Sequence, residues 1–167
     1  FELTKKQTMV LGIGNIGGIG LLASADRIDR LDNGRLVIID YKTGDISRGD
    51  WFAERLAEPQ LPLYSLALGK DCVAGVFFAR VQKNKAGYTG IAEADGIVPG
   101  CRAIMDDRKL AKDFESMQEV LDFWEVKLLA LAEEIQAGYA PVMPVSENKV
   151  CRNCDISQIC RIWESSS

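Results

Sequence analysis

Residues 25–44 read ADRIDRLDNGRLVIIDYKTG, and their pattern dictates the centre of the molecule. Leu21, Leu22 and Ala23 lead into them, and the β-branched run Leu36-Val37-Ile38-Ile39 follows a polar tip at Asp32-Asn33-Gly34. Asn-Gly between two apolar runs is a strong hairpin signal, so residues 19–43 are predicted to form two antiparallel strands. A three-residue loop with Gly34 in the left-handed conformation pairs Leu31 with Arg35. Counting back along both strands sets Asp26 opposite Asp40. Side chains alternate along a strand, so Lys42 projects on the same face as Asp40. A two-residue loop would instead place the two carboxylates on opposite faces.

Like charges facing each other across a sheet are destabilising and call for a compensating cation. Hard carboxylate oxygens suit Mg²⁺ or Mn²⁺, which keep waters and accept phosphate oxygens as readily as protein ligands. Water on such an ion becomes a better nucleophile, and an adjacent Lys42 can orient it or stabilise charge on a phosphorane-like transition state. Asp26, Asp40 and Lys42 therefore point to phosphodiester hydrolysis.

Outward from the hairpin, Pro59 opens a predicted helix carrying Leu61, Leu63, Tyr64, Leu66 and Leu68, with Gly69 as its stop and Pro62 tolerable in the first turn. Val73–Val81 reads as a buried strand, and Gly87–Ala92 is expected to pair with it across the basic loop Gln82–Ala86. Residues 93–112 show no period. Ser116 and Glu119 form a capping box for a long helix in which Val120, Leu121, Trp124, Leu128, Leu131 and Ile135 recur at helical spacing until Gly138 and Pro141. The expected class is α/β, a central mixed sheet flanked by helices.

The 167 residues, 26% charged and 47% hydrophobic, suffice for one core, so a single domain over 1–167 is expected. No apolar run reaches the roughly 18–20 residues of a membrane span, which predicts a soluble chain without a membrane partner. The chain starts at Phe1 with no secretory leader pattern, which suggests a segment of a longer polypeptide. A net charge of −4 gives no overall attraction to nucleic acid. Binding to DNA would rely on local clusters: Lys5-Lys6, Arg27/Arg30/Arg35, Arg80/Lys83/Lys85 or Lys149/Arg152/Arg161. With no histidine among its residues, the chain cannot build His-based triads, HExxH zinc sites or Cys/His nucleophile pairs. Its 5 cysteines, three of them in the last seventeen residues, do not resemble a secreted disulfide framework and fit a reducing cytoplasm.

The 25–44 stretch, followed by EPQLPLY (residues 58–64), resembles the RecB-type branch of the PD-(D/E)XK nuclease superfamily, including AddB-like nuclease domains. The resemblance implies a restriction-endonuclease-like core and a Mg²⁺- or Mn²⁺-dependent deoxyribonuclease, more exonuclease than endonuclease, acting in DNA repair or recombination with a helicase domain or subunit as partner. It implies that Asp26 and Asp40 hold the metal, that the Tyr41 carbonyl adds a ligand and that Lys42 is catalytic. The family's Q-x-x-x-Y motif is matched by Gln60 and Tyr64, which share a helix face at i and i+4 and would contact phosphate or orient Lys42. Asp29 is expected to pair with a nearby arginine. A further histidine or glutamate ligand from an earlier helix is common in this branch. Here only Glu2 is available, where a strand is expected.

The tail VCRNCDISQICR, residues 150–161, places Cys151, Cys154 and Cys160 at C-x2-C-x5-C, a spacing that resembles the C-terminal ligands of the iron–sulfur cluster in AddB-like nucleases. A 4Fe–4S cluster in the full-length protein, a zinc site and unligated thiols are the three readings. The fourth ligand would be Cys72, Cys101 or an upstream residue. Gly12-Ile-Gly14-Asn-Ile-Gly17 satisfies GxGxxG, with Asp32 downstream, but Gly17, Gly18 and Gly20 are poor helix formers. The family resemblance implies a strand-to-strand turn there. The rival to an enzyme is a non-catalytic DNA- or helicase-binding module of the same fold.

Overall fold

The computed structural model describes residues 9–44, 47–83, 86–144, 151 and 154–160. At the hairpin tip the Leu31 amide donates to the Arg35 carbonyl and the Gly34 amide to the Leu31 carbonyl, each at 2.8 Å. Gly34 takes φ +82°, so the loop is the three-residue kind. It joins β3 (Arg27–Arg30) to β4 (Leu36–Lys42) with Arg27 opposite Ile39.

The strand preceding the tip is not continuous from residue 19, as the sequence suggests. It divides into β2 (Ile19–Ala25) and β3, with Asp26 between them. β2 pairs with β1 (Met9–Ile16) in a separate two-stranded sheet. Gly17 and Gly18, both at positive φ, make the tight turn that joins these strands, so the glycine run carries no helix at Gly14 and no dinucleotide fold. The cause of the split lies in Asp26 itself. The 27/39 register would give the Tyr41 amide to Ala25, but that amide donates to the Asp26 carboxylate at 2.9 Å.

The main sheet runs β3-β4-β5-β6, with β5 at Val73–Arg80 and β6 at Gly87–Ala92. The β4/β5 pair is parallel and its neighbours are antiparallel, which makes the sheet mixed. Between β4 and β5 the chain crosses through α1 (Gln60–Leu68), which starts directly after Pro59 and ends at Gly69, φ +92°. Both sheet faces are covered, so β5 is buried from Val73 to Ala79 and shows no alternation. One face packs Ile38, Val76 and Phe78 against Trp51, Leu61, Leu121 and Trp124. The other packs Val37, Ile39 and Phe77 against Ile97 and Val98. The aperiodic stretch 93–112 lies over the sheet through such isolated anchors and two single 3₁₀ turns, Ile104–Asp106 and Leu110–Lys112.

α2 (Met117–Gln136) opens on Ser116, whose hydroxyl accepts from the Glu119 amide. The Glu119 carboxylate reaches one residue further back than a standard capping box, to the Glu115 amide at 2.7 Å. Val120, Leu121, Trp124 and Leu128 form the buried stripe, and the Trp124 indole donates to the Trp51 carbonyl at 3.0 Å. The expected continuation through Leu131 and Ile135 holds only in part: Leu131 is half-buried, but Ile135 is 60% exposed and Ala132 takes the inward position. The physical reason is the β1–β2 turn, where a Cβ on Gly17 would sit 2.9 Å from Ala132 Cβ and only small groups fit. α1 fills the space between this arm and the sheet, and a Cβ on Gly14 would meet Ala67 Cβ at 3.1 Å.

Gly90 on β6 is a more severe close approach, because a Cβ there would overlap the Val76 carbonyl oxygen and lie 2.8 Å from Phe77 Cα. Gly90→Ala is expected to destabilise the fold by about 3 kcal/mol, the upper end of ordinary overpacking. Chemical denaturation of the variant checks it, and an unchanged midpoint would reject the close packing at this strand.

Candidate active site

The alternation fixed by the Leu31/Arg35 pair makes 27/39 a hydrogen-bonded pair and leaves Asp26 and Asp40 at a non-hydrogen-bonded position, where side chains lie closest. The register expected from the loop is therefore the observed one. Asp40 is only 3% exposed, since it projects from β4 into the face covered by α1. Lys42 projects beside it. Its ammonium lies 3.0 Å from Asp40 Oδ2, donates to Gln60 Oε1 at 3.0 Å and stands 5.3 Å from the centre of the Phe78 ring. Gln60 in turn donates its amide to the Tyr64 hydroxyl at 2.8 Å. One turn of α1 separates Gln60 from Tyr64, which is why both meet the same strand end. The structure thus links Asp40, Lys42, Gln60 and Tyr64 in one polar chain, with Asp26 set across from Asp40 by the strand register.

Burial pushes the Asp40 carboxyl above the usual carboxylate range. Lys42 opposes the shift, and the negative charge of Asp26 adds to it. Among the described residues the polar contact of the buried Asp40 Oδ2 is the Lys42 ammonium at 3.0 Å, and no amide or hydroxyl donates to it. A buried carboxylate oxygen left in this state, next to a second carboxylate, fits a hard divalent cation. The described residues gather no group of three or more Cys, Asp or Glu side chains placed to hold a metal. Two carboxylates are nevertheless a usual protein contribution for Mg²⁺, which keeps several waters and takes substrate phosphate oxygens. Glu2 lies outside the described residues.

Sequence reasoning missed two neighbours of Lys42. Glu58 stands 3.9 Å from its ammonium, and Phe78 lies beneath it. Glu58 opens the same EPQ run that supplies Gln60, so its proximity was legible. Phe78 was not, because it depends on the β4/β5 register. Asp29 pairs with Arg27 through two contacts of 2.8 and 2.6 Å, which raise the Arg27 guanidinium further above its ordinary value. The Arg27/Arg30/Arg35 cluster is not a free basic patch. Arg30 donates to the Gly34 carbonyl, and Arg35 binds Glu93 and the Val73 carbonyl. Lys5, Lys6, Lys85, Lys149, Arg152 and Arg161 lie outside the described residues.

Cys151, Cys154 and Cys160 are partly buried, and none of the five cysteines forms a disulfide. The Cys154 amide donates to the Cys151 carbonyl at 3.2 Å, and Cys160 closes the short helix Ser157–Cys160. Among the described residues these thiols are not gathered into a metal-binding group, so the arrangement that the spacing suggests is not assembled here. No helix among the described residues is long and apolar enough to cross a membrane.

A family model described as the PD-(D/E)XK nuclease superfamily matches residues 1–161. No curated protein matches. A solved structure described as "Crystal structure of SSO0001" aligns with a TM-score of 0.53 and 19% identity over 93% of this chain and 60% of that one. At that identity the likeness is one of fold, and it agrees with the mixed sheet flanked by α1 and α2. This chain spans about three-fifths of the length of that protein.

Proposed function

Because this chain belongs to the PD-(D/E)XK nuclease superfamily, we propose that it hydrolyses DNA phosphodiester bonds at the site formed by Asp26, Asp40 and Lys42. The observation that supports this most strongly is the polar chain from Asp40 through Lys42 and Gln60 to Tyr64, with Asp26 set across from Asp40 by the strand register. Asp26 and Asp40 would hold Mg²⁺ or Mn²⁺, with the Tyr41 carbonyl as a further oxygen donor. When bound, the ion supplies charge neutralisation at the phosphate and acidifies water.

The residues of the chain do the rest. The Lys42 ammonium has three N–H groups, and Asp40 and Gln60 take two. The third is available to a phosphate oxygen, where a fixed positive donor stabilises the charge that develops during hydrolysis. Gln60 offers its carbonyl oxygen to Lys42 because its amide is committed to Tyr64. That arrangement leaves the Tyr64 hydroxyl hydrogen for another acceptor, such as substrate. Gln60 is thus a positioning residue for Lys42, and Tyr64 sets the orientation of Gln60.

The finer reading is a RecB- or AddB-like exonuclease in DNA repair or recombination, forming the C-terminal nuclease domain of a longer protein with a helicase domain or subunit. It is supported by the DYK and Q-x-x-x-Y spacing. The C-x2-C-x5-C spacing supports a 4Fe–4S cluster in the full-length protein, held by Cys151, Cys154, Cys160 and a fourth cysteine. Metal analysis after anaerobic expression tests that part, and stoichiometric zinc without iron would refute it.

The hydrolase reading is tested with linear duplex and single-stranded DNA in Mg²⁺ or Mn²⁺. Cleavage is expected, with loss in EDTA and recovery when Mn²⁺ is restored. Intact DNA under every metal condition would reject it. Gln60→Ala and Tyr64→Phe are each expected to lower kcat by about five- to tenfold, the value of one positioned hydrogen bond. KM for DNA should move less in Gln60→Ala than in Tyr64→Phe, since only the latter removes a group placed to meet substrate. A steady-state comparison of both variants checks this.

A further inference from the structure

Glu58 is an acid at the candidate site to which the reaction gives no task. It immediately precedes Pro59, where the chain turns into α1, and its carboxylate lies 3.9 Å from the Lys42 ammonium. The backbone around it is held on both sides. The Pro59 carbonyl accepts from the Leu63 amide at 2.8 Å, and upstream the Ala57 amide donates to the Asp50 carbonyl at 3.0 Å. Two ion pairs tie the same segment to α2, Arg55 to Glu134 at 2.8 Å and Glu54 to Lys127 at 3.4 Å. The loop thus keeps Glu58 next to Lys42, and its side chain, 45% exposed, is the part left to move.

At 3.9 Å the contact is too long for a hydrogen bond, so it does not consume the third N–H group of Lys42. It does set a negative charge beside that group. A phosphate oxygen bonded to the same ammonium would lie no more than about 7 Å from the Glu58 carboxylate, inside the roughly 8 Å over which physiological salt screens charge. Three carboxylates, Asp26, Asp40 and Glu58, therefore bear on one ammonium, while Arg80, set next to Lys42 by the β4/β5 register, has a partner of its own. The three acids are held differently. Asp40 is buried and Asp26 accepts from the Tyr41 amide, whereas the polar contact of Glu58 among the described residues is Lys42. Nor are three acids placed there to hold one metal, which separates Glu58 from the Asp26–Asp40 pair.

We propose that Glu58 is a competing counter-ion for Lys42, which holds DNA phosphate off the ammonium until a divalent cation is loaded and then swings towards solvent. The proposal rests on the nuclease reading above and adds an order of binding to it, metal before substrate. A phosphate can meet the loaded ion and Lys42 together, whereas Glu58 can meet only Lys42. With the ion in place the phosphate therefore wins, and without it the two anions contend for a single ammonium.

Anisotropy of a fluorescein-labelled duplex with phosphorothioate linkages, which keep the charge and resist hydrolysis, tests it in EDTA and in saturating Mg²⁺. In EDTA, Glu58→Gln is expected to bind about two- to fivefold more tightly than wild type, the range of a partly exposed ion pair. In Mg²⁺ the two should bind alike, so the metal-dependent gain in affinity shrinks by the same factor. Glu54→Gln removes the same charge from the same segment but faces Lys127, and should leave both affinities unchanged. In a Lys42→Ala background the effect of Glu58→Gln should vanish. A merely structural role for Glu58 would weaken binding and could not tighten it. Equal EDTA affinity for wild type and Glu58→Gln would overturn the proposal, as would an equal gain in Glu54→Gln. A smaller Mg²⁺-induced rise in melting temperature for Glu58→Gln would overturn it too, by making Glu58 a metal ligand. Glu58→Ser, which also lacks the carboxylate, takes the place of Glu58→Gln should that variant fail to fold. Cleavage of an unmodified duplex by wild type in Mn²⁺ keeps the two readings apart. Tighter binding by Glu58→Gln without wild-type cleavage would uphold the counter-ion and reject the hydrolase, and cleavage with no change in binding would do the reverse.

Discussion

Lys42→Ala is expected to lower DNA cleavage by about 10²–10³-fold, the effect of removing one preorganised donor from a site where negative charge develops. The position of Lys42 makes the loss hard to compensate. Its ammonium is fixed by Asp40 and Gln60 and lies over Phe78, so water entering the vacated space would bring no positive charge. Lys42→Arg should recover little, because a planar guanidinium fork does not reproduce a compact ammonium shared between a carboxylate and an amide. Initial rates at saturating Mn²⁺ provide the measurement, with a folded state verified by thermal melting. Activity of Lys42→Ala within threefold of wild type would remove Lys42 from the reaction.

Asp40→Asn is expected to abolish metal-dependent cleavage, with a loss of at least about 10³-fold, and yet to raise the melting temperature of the metal-free chain. The sign follows from the direction of the Asp40 shift. Its carboxyl is held above the usual range by burial, so folding favours the protonated form. The corresponding stability is fully present at low pH and is lost as pH rises through the folded-state value. At neutral pH the buried anion therefore works against the fold, and a neutral amide of the same shape removes that penalty. A bound cation removes it in wild type. Saturating Mg²⁺ at about 100 times its Kd would add roughly 2.7 kcal/mol of stability to wild type. It should leave Asp40→Asn unmoved. On acidification the Mg²⁺-dependent rise in melting temperature should fade at a higher pH than for an ordinary aspartate, because Asp40 takes up its proton earlier. Thermal melts across a pH series, with and without Mg²⁺, report all of this. Equal Mg²⁺ responses in the two proteins would exclude Asp40 as a ligand.

The part of the site visible in the sequence was the part fixed by local rules. Gly34 set the loop length, the loop length set the register, and the register placed Asp26 against Asp40. The Pro59 helix start likewise put Gln60 and Tyr64 on one face. Features that rest on non-local pairing stayed hidden. Nothing around residues 19–30 announces that the strand divides at Asp26, because the division depends on a side chain capturing the Tyr41 amide. The alignment of Tyr41 with Ala79 and of Ala79 with Tyr88 needs two strand registers, one of them parallel, that no short-range signal specifies. Ile135 fits the helical period of α2 but faces outward, since the β1–β2 turn admits only Ala132. Residues 93–112 gave no period because Ile97, Val98, Ile104 and Leu110 are single anchors of an irregular segment.

Asp26 also occupies the seam between the two sheets, with β2 of the arm ending one residue before it and β3 of the main body starting one residue after. Under the proposed ligand assignment a cation gripped by Asp26 and Asp40 is a clasp across that seam. Twisting the β1–β2 arm would spread the two carboxylates and loosen the ion, and loading the ion would stitch the arm down. A force or partner acting on the arm would therefore be felt as a change in metal occupancy, without touching either ligand.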